Sequence, residues 1–322
     1  MTEALNSKSN QLADAELDVG VIRPDEPLAN HSTWRVGGPA DYLVEPQSIA
    51  QLCRLMQWLH KRKLPHVVIG KGSNLLFPDK GVRGVVIKID RGLRHVQQRG
   101  NQLLVEAGIS VPRLAHYAGS LGLSGLEHTI GIPGTLGGLV VMNGGSLRHS
   151  VSEVIDSVDY IDARGQLMTR QPDQCEFDYR RSWFQGNFGI VVRACLNLTP
   201  GDRHRIMQTM IATLRQRRAN FPLRYPNCGS VFKSNPTLYE RGGPPGKVIE
   251  SLGLKGTQIG GAAISQRHAN FIINRGTARA CDILQLIALV RDQVREHFDL
   301  ALNCEVKYVS EQGEVMAAHL AC

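Results

Sequence analysis

Two glycine-rich segments hold the residue types that bind a phosphate or pyrophosphate. The first is residues 70–74 (GKGSN), and the second is residues 131–138 (GIPGTLGG), backed by Asn143 and Gly144. Glycine permits positive φ and close backbone approach, so successive N–H groups can form an anion-binding nest. Lys71 adds charge. Either segment alone is more often only a tight turn, but two of them suit a long ligand with a pyrophosphate between them.

Other familiar phosphate and catalytic motifs are missing from the sequence. No GxGxxG follows a strand pattern and no GxxxxGK[ST] occurs, since Lys247 is followed by Val248. These absences disfavour a dinucleotide fold of Rossmann type and a P-loop triphosphatase. No GxSxG segment occurs either, so a Ser-His-Asp hydrolase is not supported.

The charge and composition leave several partners open. The formal net charge of +8 fits a nucleic acid, a small anionic ligand, or solubility alone. The densest basic group, residues 215–218, lies in a helical pattern. It is equally consistent with an ordinary solvent-exposed helix face. Aromatic residues make up only 6%, without a stacking pattern, so a nucleic-acid-binding module is the least favoured hypothesis.

Cysteine usage and hydropathy indicate the compartment. The seven cysteines are scattered without a CxxC pair or metal-ligand spacing, which favours reduced thiols in a cytoplasm. The polar start of the chain has no apolar core of signal-peptide type, and no run of about 18 apolar residues occurs. We therefore expect a cytoplasmic protein that does not span a membrane.

The elements that must position these turns form a mixed pattern, which predicts an α+β fold. At 322 residues the chain predicts two or three domains. We expect a loose tail at 1–20 and segments at 21–90, 91–220 and 221–322. Predicted strands cover residues 65–69, 85–89, 103–107, 154–161, 190–198, 230–232, 271–273 and 304–309. Predicted helices cover residues 49–59 capped by Ser48, 111–123, 202–219, 247–252 and 282–298 capped by Asp282.

Several short motifs follow one another along the chain. They are TWRVGGPA at 33–40, GKGSNLL at 70–76, LEHTIGIPGTLGG at 126–138, YRRSWF at 179–184, CGSVFK at 228–233, HANFIIN at 268–274 and the terminal Glu305-Val306. Each motif is modest by itself, but the ordered set, across roughly residues 28–310, resembles the UDP-N-acetylenolpyruvoylglucosamine reductases.

The resemblance implies a two-part FAD-binding region of vanillyl-alcohol-oxidase type in the first two segments, followed by a C-terminal α+β substrate domain. It implies NADPH-dependent reduction of an enolpyruvyl ether on a UDP-linked sugar to UDP-N-acetylmuramate. That step belongs to peptidoglycan synthesis, and hence to cell shape and division. Neither nucleic acid nor membrane is an expected partner.

The resemblance also assigns candidate binding residues. For FAD they are Arg35, Gly70, Lys71, Gly72, Ser73, Asn74, Leu75, Thr129, Gly131, Ile132, Pro133, Gly134, Asn143 and Gly144. For the substrate they are Lys233, expected at its diphosphate, and Asn270. Many relatives carry Asn or Arg where this chain has Ser234, so substrate contacts there are left open.

Three residues are implied to be catalytic. Hydride addition to C3 of the alkene builds negative charge toward C2 and the carboxylate, which calls for cationic donors and an acid. Arg180 is implied to stabilise that charge, Ser230 to protonate C2, and Glu305 to polarise the alkene beside the substrate carboxylate. Local sequence alone favours ordinary roles for them: a surface ion pair, a turn serine and an outward-facing strand carboxylate. His128 and His268 have no nucleophile to pair with, so we expect both to be structural or to support neighbouring site residues, and we leave their roles open.

A second enzyme hypothesis keeps the FAD fold and changes the substrate, as in the hydroxy-acid and alcohol oxidases of the same superfamily. The GSVFK segment at 229–233 and Glu305 favour the reductase.

Overall fold

The computed structural model describes residues 17–186, 189–234 and 236–322, and most of the predicted tail at 1–20 lies outside them. Its contacts define two compact units. The first unit comprises residues up to Arg23, Tyr42–Lys71 and Val85–Arg217, and the second comprises Pro24–Asp41, Gly72–Gly84 and Arg218–Cys322. The three consecutive segments with boundaries at 90 and 220 stay a prediction.

The strands are β1 (Val21–Pro27), β2 (Pro39–Glu45), β3 (His66–Ile69), β4 (Leu75–Leu76), β5 (Val82–Lys88), β6 (Val96–Arg99), β7 (Gln102–Glu106), β8 (Leu123–Ser124), β9 (Ile155–Ile161), β10 (Leu167–Arg170), β11 (Ile190–Asn197), β12 (Thr199–Pro200), β13 (Gln258–Ile259), β14 (Ala262–Ile264), β15 (Ile272–Asn274), β16 (Lys307–Val309) and β17 (Val315–Ala317). The helices are α1 (Ile49–Arg62), α2 (Val111–Ser120), α3 (Leu136–Val141), α4 (Arg203–Asn220), α5 (Pro236–Arg241), α6 (Pro245–Ser251) and α7 (Ala280–Phe298).

A five-stranded antiparallel sheet forms the centre of the first unit, in the order β10-β9-β11-β7-β6. In β7 the alternating side chains of Leu103 and Val105 are fully buried, as a half-buried strand requires. They join one apolar core that includes α2, with Leu114 and Ala118 on its inner face. The glycine-rich segment 131–138 follows α2 along the chain and leads into the short helix α3.

Helix α1 and strand β3 lead into the first glycine-rich turn. The hydroxyl of Ser48 accepts a hydrogen bond from the N–H of Gln51 at 3.2 Å, which confirms the predicted cap. The inner face of α1 is apolar and buried, as its spacing predicts. Strand β3 pairs in parallel with β5 and ends at Ile69, so the turn at Gly70 begins where a buried strand stops.

The second unit contains two small sheets, β13-β14-β15 and β17-β16-β4, and the long helix α7. The predicted cap of α7 is wrong. The helix begins at Ala280, with Arg279 as its N-cap and Asp282 at its third position. The Asp282 carboxylate accepts from the N–H of Arg279 at 3.0 Å and of Gly261 at 3.1 Å, so it holds a chain reversal as well as the helix start.

Two predicted strands are shorter than expected. Phe232 forms only an isolated bridge with Cys304, so residues 230–232 are mostly irregular. The strand predicted at 304–309 begins at Lys307. Both segments are held instead by individual hydrogen bonds, described below.

Two further findings concern the cysteines and the helices. The structure has all seven cysteines as free thiols. Within the described residues, no helix combines the length and the apolar composition that crossing a membrane demands.

Candidate active site

The two glycine-rich turns meet within the first unit. A Cβ added at Gly70 would lie 2.4 Å from the hydroxyl oxygen of Thr135, so the first turn packs against the Thr135 side chain and a larger residue at position 70 would displace it. Thr135 is the N-cap of α3, and its hydroxyl accepts a hydrogen bond from the N–H of Gly138 at 3.4 Å. Lys71, the next predicted cofactor residue, has no carboxylate within ion-pair distance among the described residues.

Backbone bonds give the second turn its shape. The N–H of Gly137 donates to the carbonyl of Ala107 at 2.8 Å, which ties the turn to the end of β7. The hydroxyl of Thr129 is buried and donates to the carbonyl of Leu126 at 2.7 Å. The N–H of Ile132 donates to the carbonyl of Thr129 at 2.9 Å. The side chain of Thr129 therefore stabilises the turn internally, and this role does not depend on a contact with a ligand.

The tip of this turn is its most accessible part. Pro133 is exposed, and Gly134 is half-buried with its carbonyl accepting from the N–H of Val111 at 3.1 Å. The tip therefore stays in reach of a ligand while its C-terminal end is fixed to α2.

An arginine that sequence reasoning treated as part of a solvated face packs against this turn. A Cβ added at Gly131 would lie 2.2 Å from Cδ of Arg217, near the end of α4. Arg217 is half-buried, and that burial lowers the pKa of its guanidinium. A large separation in sequence hid this contact, which brings a cation to the second glycine-rich turn.

Arg180 lies in a two-residue reversal. Asp178 and Arg181 exchange backbone hydrogen bonds of 3.1 and 3.0 Å around it, and Arg180 itself has φ of 54°. Its guanidinium Nη2 donates to the carbonyl of Gly145 at 3.1 Å. Gln185, which sequence reasoning missed, donates from its amide to the carbonyl of Arg180 at 3.0 Å. Arg180 is therefore held from both its backbone and its side chain.

Asn143 and Gly144 connect the second turn to this reversal. The amide of Asn143 donates to the carbonyl of Asp178 at 3.0 Å, and its oxygen accepts from the N–H of Ser152 at 3.2 Å. The N–H of Gly144 donates to the carbonyl of Leu139 at 2.8 Å. The side chain of Asn143 is thus engaged with the protein's own backbone, so its predicted contact with FAD would come from its main chain.

The second unit contains the rest of the first turn, residues 72–75, together with Arg35. The carbonyl of Gly72 accepts from the N–H of Thr33 at 3.3 Å. A Cβ added at Gly72 would lie 2.1 Å from the carbonyl oxygen of His31. Arg35 is exposed and has φ of 57°. The structure therefore places the predicted Arg35 on a turn that packs against the first glycine-rich segment.

The same segment contacts the end of the chain within the second unit. The side-chain amide of Asn74 donates to the carbonyl of Glu305 at 3.2 Å, and its carbonyl accepts from the N–H of Lys307 at 3.0 Å. Leu75 is paired with Lys307 in the β4–β16 ladder. Ser73, between the two contacts, is half-buried.

Ser230 and Glu305 lie on neighbouring backbone in this unit. The N–H of Glu305 donates to the carbonyl of Val231 at 2.8 Å. Ser230 is half-buried and follows Gly229, which has φ of 79°. Among the described residues the Ser230 hydroxyl has no hydrogen-bond partner, which leaves it available to a ligand.

Asn270 fixes this backbone. Its side-chain oxygen accepts from the N–H of Phe232 at 2.9 Å, its amide donates to the carbonyl of Phe232 at 2.9 Å, and its own carbonyl accepts from the N–H of Val231. The side chain is buried. A substrate contact by Asn270 stays a prediction. The observed hydrogen bonds show that Asn270 fixes the backbone next to Ser230.

Basic side chains gather beside Glu305. The N–H of Lys233 donates to the carbonyl of Asn303 at 2.9 Å. The pKa of Lys307, two residues after Glu305, is lowered by burial and, to a lesser extent, by the charge of Lys233. Burial also lowers the pKa of His319, with smaller contributions from Arg291, Lys307 and Lys233. Of these basic residues, the sequence indicated only Lys233. A cluster of basic side chains is suited to an anionic ligand.

The two histidines left as structural differ in their surroundings. His268 accepts from the N–H of Asn270 at 3.2 Å and packs on Phe271, which fits a structural role. His128 is buried, and its Nε2 has no hydrogen-bond partner among the described residues. Burial, followed by the nearby charge of His149, lowers the pKa of His128. Ser234, where the motif departs from the family pattern, is half-buried.

The residues of the first unit fit an anionic dinucleotide. A Cβ at Gly70 would collide with the side chain of Thr135 and a Cβ at Gly131 with that of Arg217, and Lys71 and Arg217 supply positive charge there. Glycine-rich turns beside two cations suit a pyrophosphate, and the residues therefore fit FAD.

Comparisons with known proteins agree with this geometry. A family model described as "FAD binding domain" matches residues 40–170, and one described as "UDP-N-acetylenolpyruvoylglucosamine reductase, C-terminal domain" matches residues 221–309. A reductase of that name from Corynebacterium glutamicum is 42% identical, covering 91% of this chain and 87% of its own. One from Halalkalibacterium halodurans is 41% identical, covering 92% and 97%.

A solved structure shows the same fold. The crystal structure of UDP-N-acetylenolpyruvylglucosamine reductase from Thermus caldophilus has a TM-score of 0.76 at 32% identity, and the match covers 89% of this chain and 99% of that one.

These findings define an FAD-dependent oxidoreductase, and they confirm the predicted fold class with its FAD-binding region and C-terminal domain. The chain belongs to the UDP-N-acetylenolpyruvoylglucosamine reductase family. The roles of the individual site residues stay predictions.

Proposed function

We propose that this protein reduces UDP-N-acetylglucosamine enolpyruvate to UDP-N-acetylmuramate, in the cytoplasm, as a step of peptidoglycan synthesis with NADPH as reductant. The relatives named above carry this activity in their names. The observation that supports it most directly in this chain is the 2.8 Å bond from the N–H of Glu305 to the carbonyl of Val231. It brings the backbone of the expected polarising carboxyl next to that of the expected acid, Ser230.

FAD, when bound, would supply the hydride that NADPH provides, and the hydride adds to C3 of the vinyl group. The residues that would hold it are Lys71 and Arg217, together with the glycine-rich turns at 70–74 and 131–138. Arg35 belongs to the same proposal, because its turn packs against Gly72.

The chain's own residues would handle the charge and the proton. The fixed guanidinium of Arg180 would stabilise the negative charge that develops on the substrate carboxylate, since guanidinium binds carboxylate bidentately. The Ser230 hydroxyl would give its proton to C2, which completes addition of H⁻ and H⁺ across the double bond. Glu305 would polarise the alkene, and Lys233 would bind the substrate diphosphate.

The test is a pair of half-reactions on the purified protein. We expect a yellow protein whose flavin is bleached by NADPH without oxygen and recolours when UDP-N-acetylglucosamine enolpyruvate is added. A hydroxy acid or alcohol that bleaches the flavin instead would support the oxidase hypothesis. A colourless protein that takes up no FAD would refute the proposal.

A second measurement checks the cofactor residues. Arg35→Ala should weaken FAD retention, measured as the flavin-to-protein absorbance ratio after dialysis. An unchanged ratio would contradict the placement of Arg35 at the cofactor.

A further inference from the structure

The conformation of Arg180 needs an external restraint. With φ of 54° it is a non-glycine residue in the left-handed region, which costs an L-residue about 1–2 kcal/mol. Such a residue persists only where its surroundings over-determine it. The reversal between Asp178 and Arg181 is closed by their two mutual backbone bonds and by the bond from the N–H of Tyr179 to the carboxylate of Asp178 at 2.7 Å.

Gln185 supplies that restraint. Its side-chain nitrogen donates to the carbonyl of Arg180 at 3.0 Å and to the carbonyl of Val141, the last residue of α3, at 3.0 Å. The same nitrogen lies 3.5 Å from the sulfur of Met142, a weak acceptor, but it has two hydrogens, and the two carbonyls at 3.0 Å are sufficient to use both. One side chain therefore links the backbone of Arg180 to the helix that follows the second glycine-rich turn.

Neighbouring bonds extend the same connection. The hydroxyl of Ser182 also donates to the carbonyl of Val141, at 2.7 Å. Asn143 donates to Asp178, and the Arg180 guanidinium donates to Gly145. All of these bonds join residues 178–185 to residues 141–145, and the bond from Gln185 is made to the backbone of Arg180 itself.

We propose that Gln185 is a positioning residue for the reaction: it holds Arg180 in its left-handed conformation and so directs the guanidinium to the charge that develops on the substrate. This inference rests on the proposed function, in which Arg180 stabilises that charge. A misplacement of about 1 Å can reduce a rate about 10²-fold, so loss of the two bonds should be visible in the step that uses Arg180 and absent from steps that do not.

A double-mutant cycle tests this proposal. Gln185→Leu keeps the approximate shape and removes both donors. We expect the rate of flavin reoxidation by UDP-N-acetylglucosamine enolpyruvate to fall about 10–100-fold. FAD content and the rate of flavin reduction by NADPH should stay within about twofold. In the Arg180→Ala background the same substitution should cost less than about twofold, because the group it positions is gone. Gln174→Leu, an exposed glutamine of the same unit, is the control.

The outcomes separate two failures. A wild-type protein that holds FAD but is not reoxidised by the enolpyruvyl compound would overturn the proposed function and this role with it. A wild-type protein that turns over, with an equal loss from Gln185→Leu in both backgrounds, would overturn the role of Gln185 alone. An equal slowing of both half-reactions would do the same.

A second variant covers the case in which Gln185→Leu does not fold. Gln185→Glu keeps the length, but its carboxylate would face two carbonyl oxygens and donate nothing. Protonation restores one donor, so we expect its reoxidation rate, relative to wild type, to recover as the pH falls. A pH profile parallel to that of the wild type would contradict a positioning role.

Discussion

The Arg180 reversal of the first unit and the Ser230 segment of the second hold a predicted catalytic residue in place in different ways. Each presents a predicted catalytic residue on irregular backbone, and each is fixed by a carboxamide, Gln185 or Asn270. In the first, the catalytic residue itself takes the left-handed conformation. In the second, that conformation falls on Gly229, with φ of 79°, one residue before Ser230. Glycine adopts it without the steric cost that Arg180 meets.

The two carboxamides also make different kinds of contact. Gln185 bridges two carbonyls that belong to separate segments. Asn270 pairs with the N–H and the carbonyl of a single residue, Phe232, much as a strand partner would. We infer that the left-handed backbone at Arg180 depends on restraints from other segments, whereas beside Ser230 a glycine takes that conformation without them. Substitutions in both regions test this contrast.

The largest expected effect is on Ser230. In Ser230→Ala the reoxidation of reduced flavin by the enolpyruvyl compound should slow about 10²–10⁴-fold, the usual contribution of a general acid. Flavin reduction by NADPH should stay intact, because that step needs no proton at C2. Stopped-flow absorbance measures both steps. Equal slowing of the two steps would show that Ser230 is not the proton donor.

Asn270 comes next. Asn270→Ala leaves the buried N–H and carbonyl of Phe232 without partners, each at about 1–3 kcal/mol, so we expect about 2–6 kcal/mol lower free energy of unfolding. Urea denaturation measures it. Asn270→Asp keeps the acceptor for the N–H of Phe232 but buries a carboxylate against its carbonyl, so its stability relative to wild type should recover as the pH falls and protonation restores a donor. If Asn270→Ala unfolds like the wild type, the Ser230 segment is not held as the contacts indicate.

The sequence predicted the parts of these regions that are encoded locally. The Ser48 cap, the apolar face of α1 and the glycine-rich turns all follow from neighbouring residues. The bonds of Gln185 to Val141 span 44 residues, and no local pattern indicates them. Asp282 was read as the cap because its residue type fits one, but its carboxylate also binds Gly261.

The same limit applies to side chains that were assigned by motif. Arg217 and Gly131 come together only in the folded unit, so a basic run on a helix gave no sign of it. The family motif assigns Asn270 to the substrate, which stays a prediction, but it gave no sign that the buried amide of Asn270 holds Phe232. Residue type and order predicted which segments carry the candidate site residues. They did not predict the hydrogen-bond partner of each polar group.

A substitution of Arg217 tests whether cofactor binding and substrate binding depend on different residues. Arg217→Ala removes a half-buried cation beside Gly131, and we expect FAD to dissociate about 10-fold more readily, equivalent to one charge-assisted hydrogen bond. Flavin fluorescence on dilution measures the dissociation constant. Lys233→Ala, in the second unit, should raise KM for the nucleotide-sugar and leave FAD affinity unchanged. The exposed Arg215 provides a matched control as Arg215→Ala. Equal FAD affinity in the Arg217 and Arg215 variants would remove Arg217 from the cofactor group.

The smallest expected effect is a difference in stability between two variants of Arg180. It tests the contrast between the backbone at Arg180 and that at Gly229 most directly. Arg180→Gly and Arg180→Ala both abolish the guanidinium, but only glycine also relieves the left-handed backbone at φ of 54°. We expect the glycine variant to unfold at a free energy about 1 kcal/mol higher than the alanine variant, a reversal of the usual order of these residues.

Gly229→Ala makes the opposite change in the second unit. An added Cβ meets nothing within 4 Å, so backbone strain alone should destabilise it by about 1–2 kcal/mol. Gly138→Ala, with its nearest neighbour at 3.7 Å and no positive φ, is the control and should lose nothing. Since crowding is absent at Gly229, the loss there measures the conformation itself. An alanine variant at 180 as stable as the glycine variant, alongside a clear loss at Gly229, would mean that the restraints around Arg180 leave it no strain to relieve.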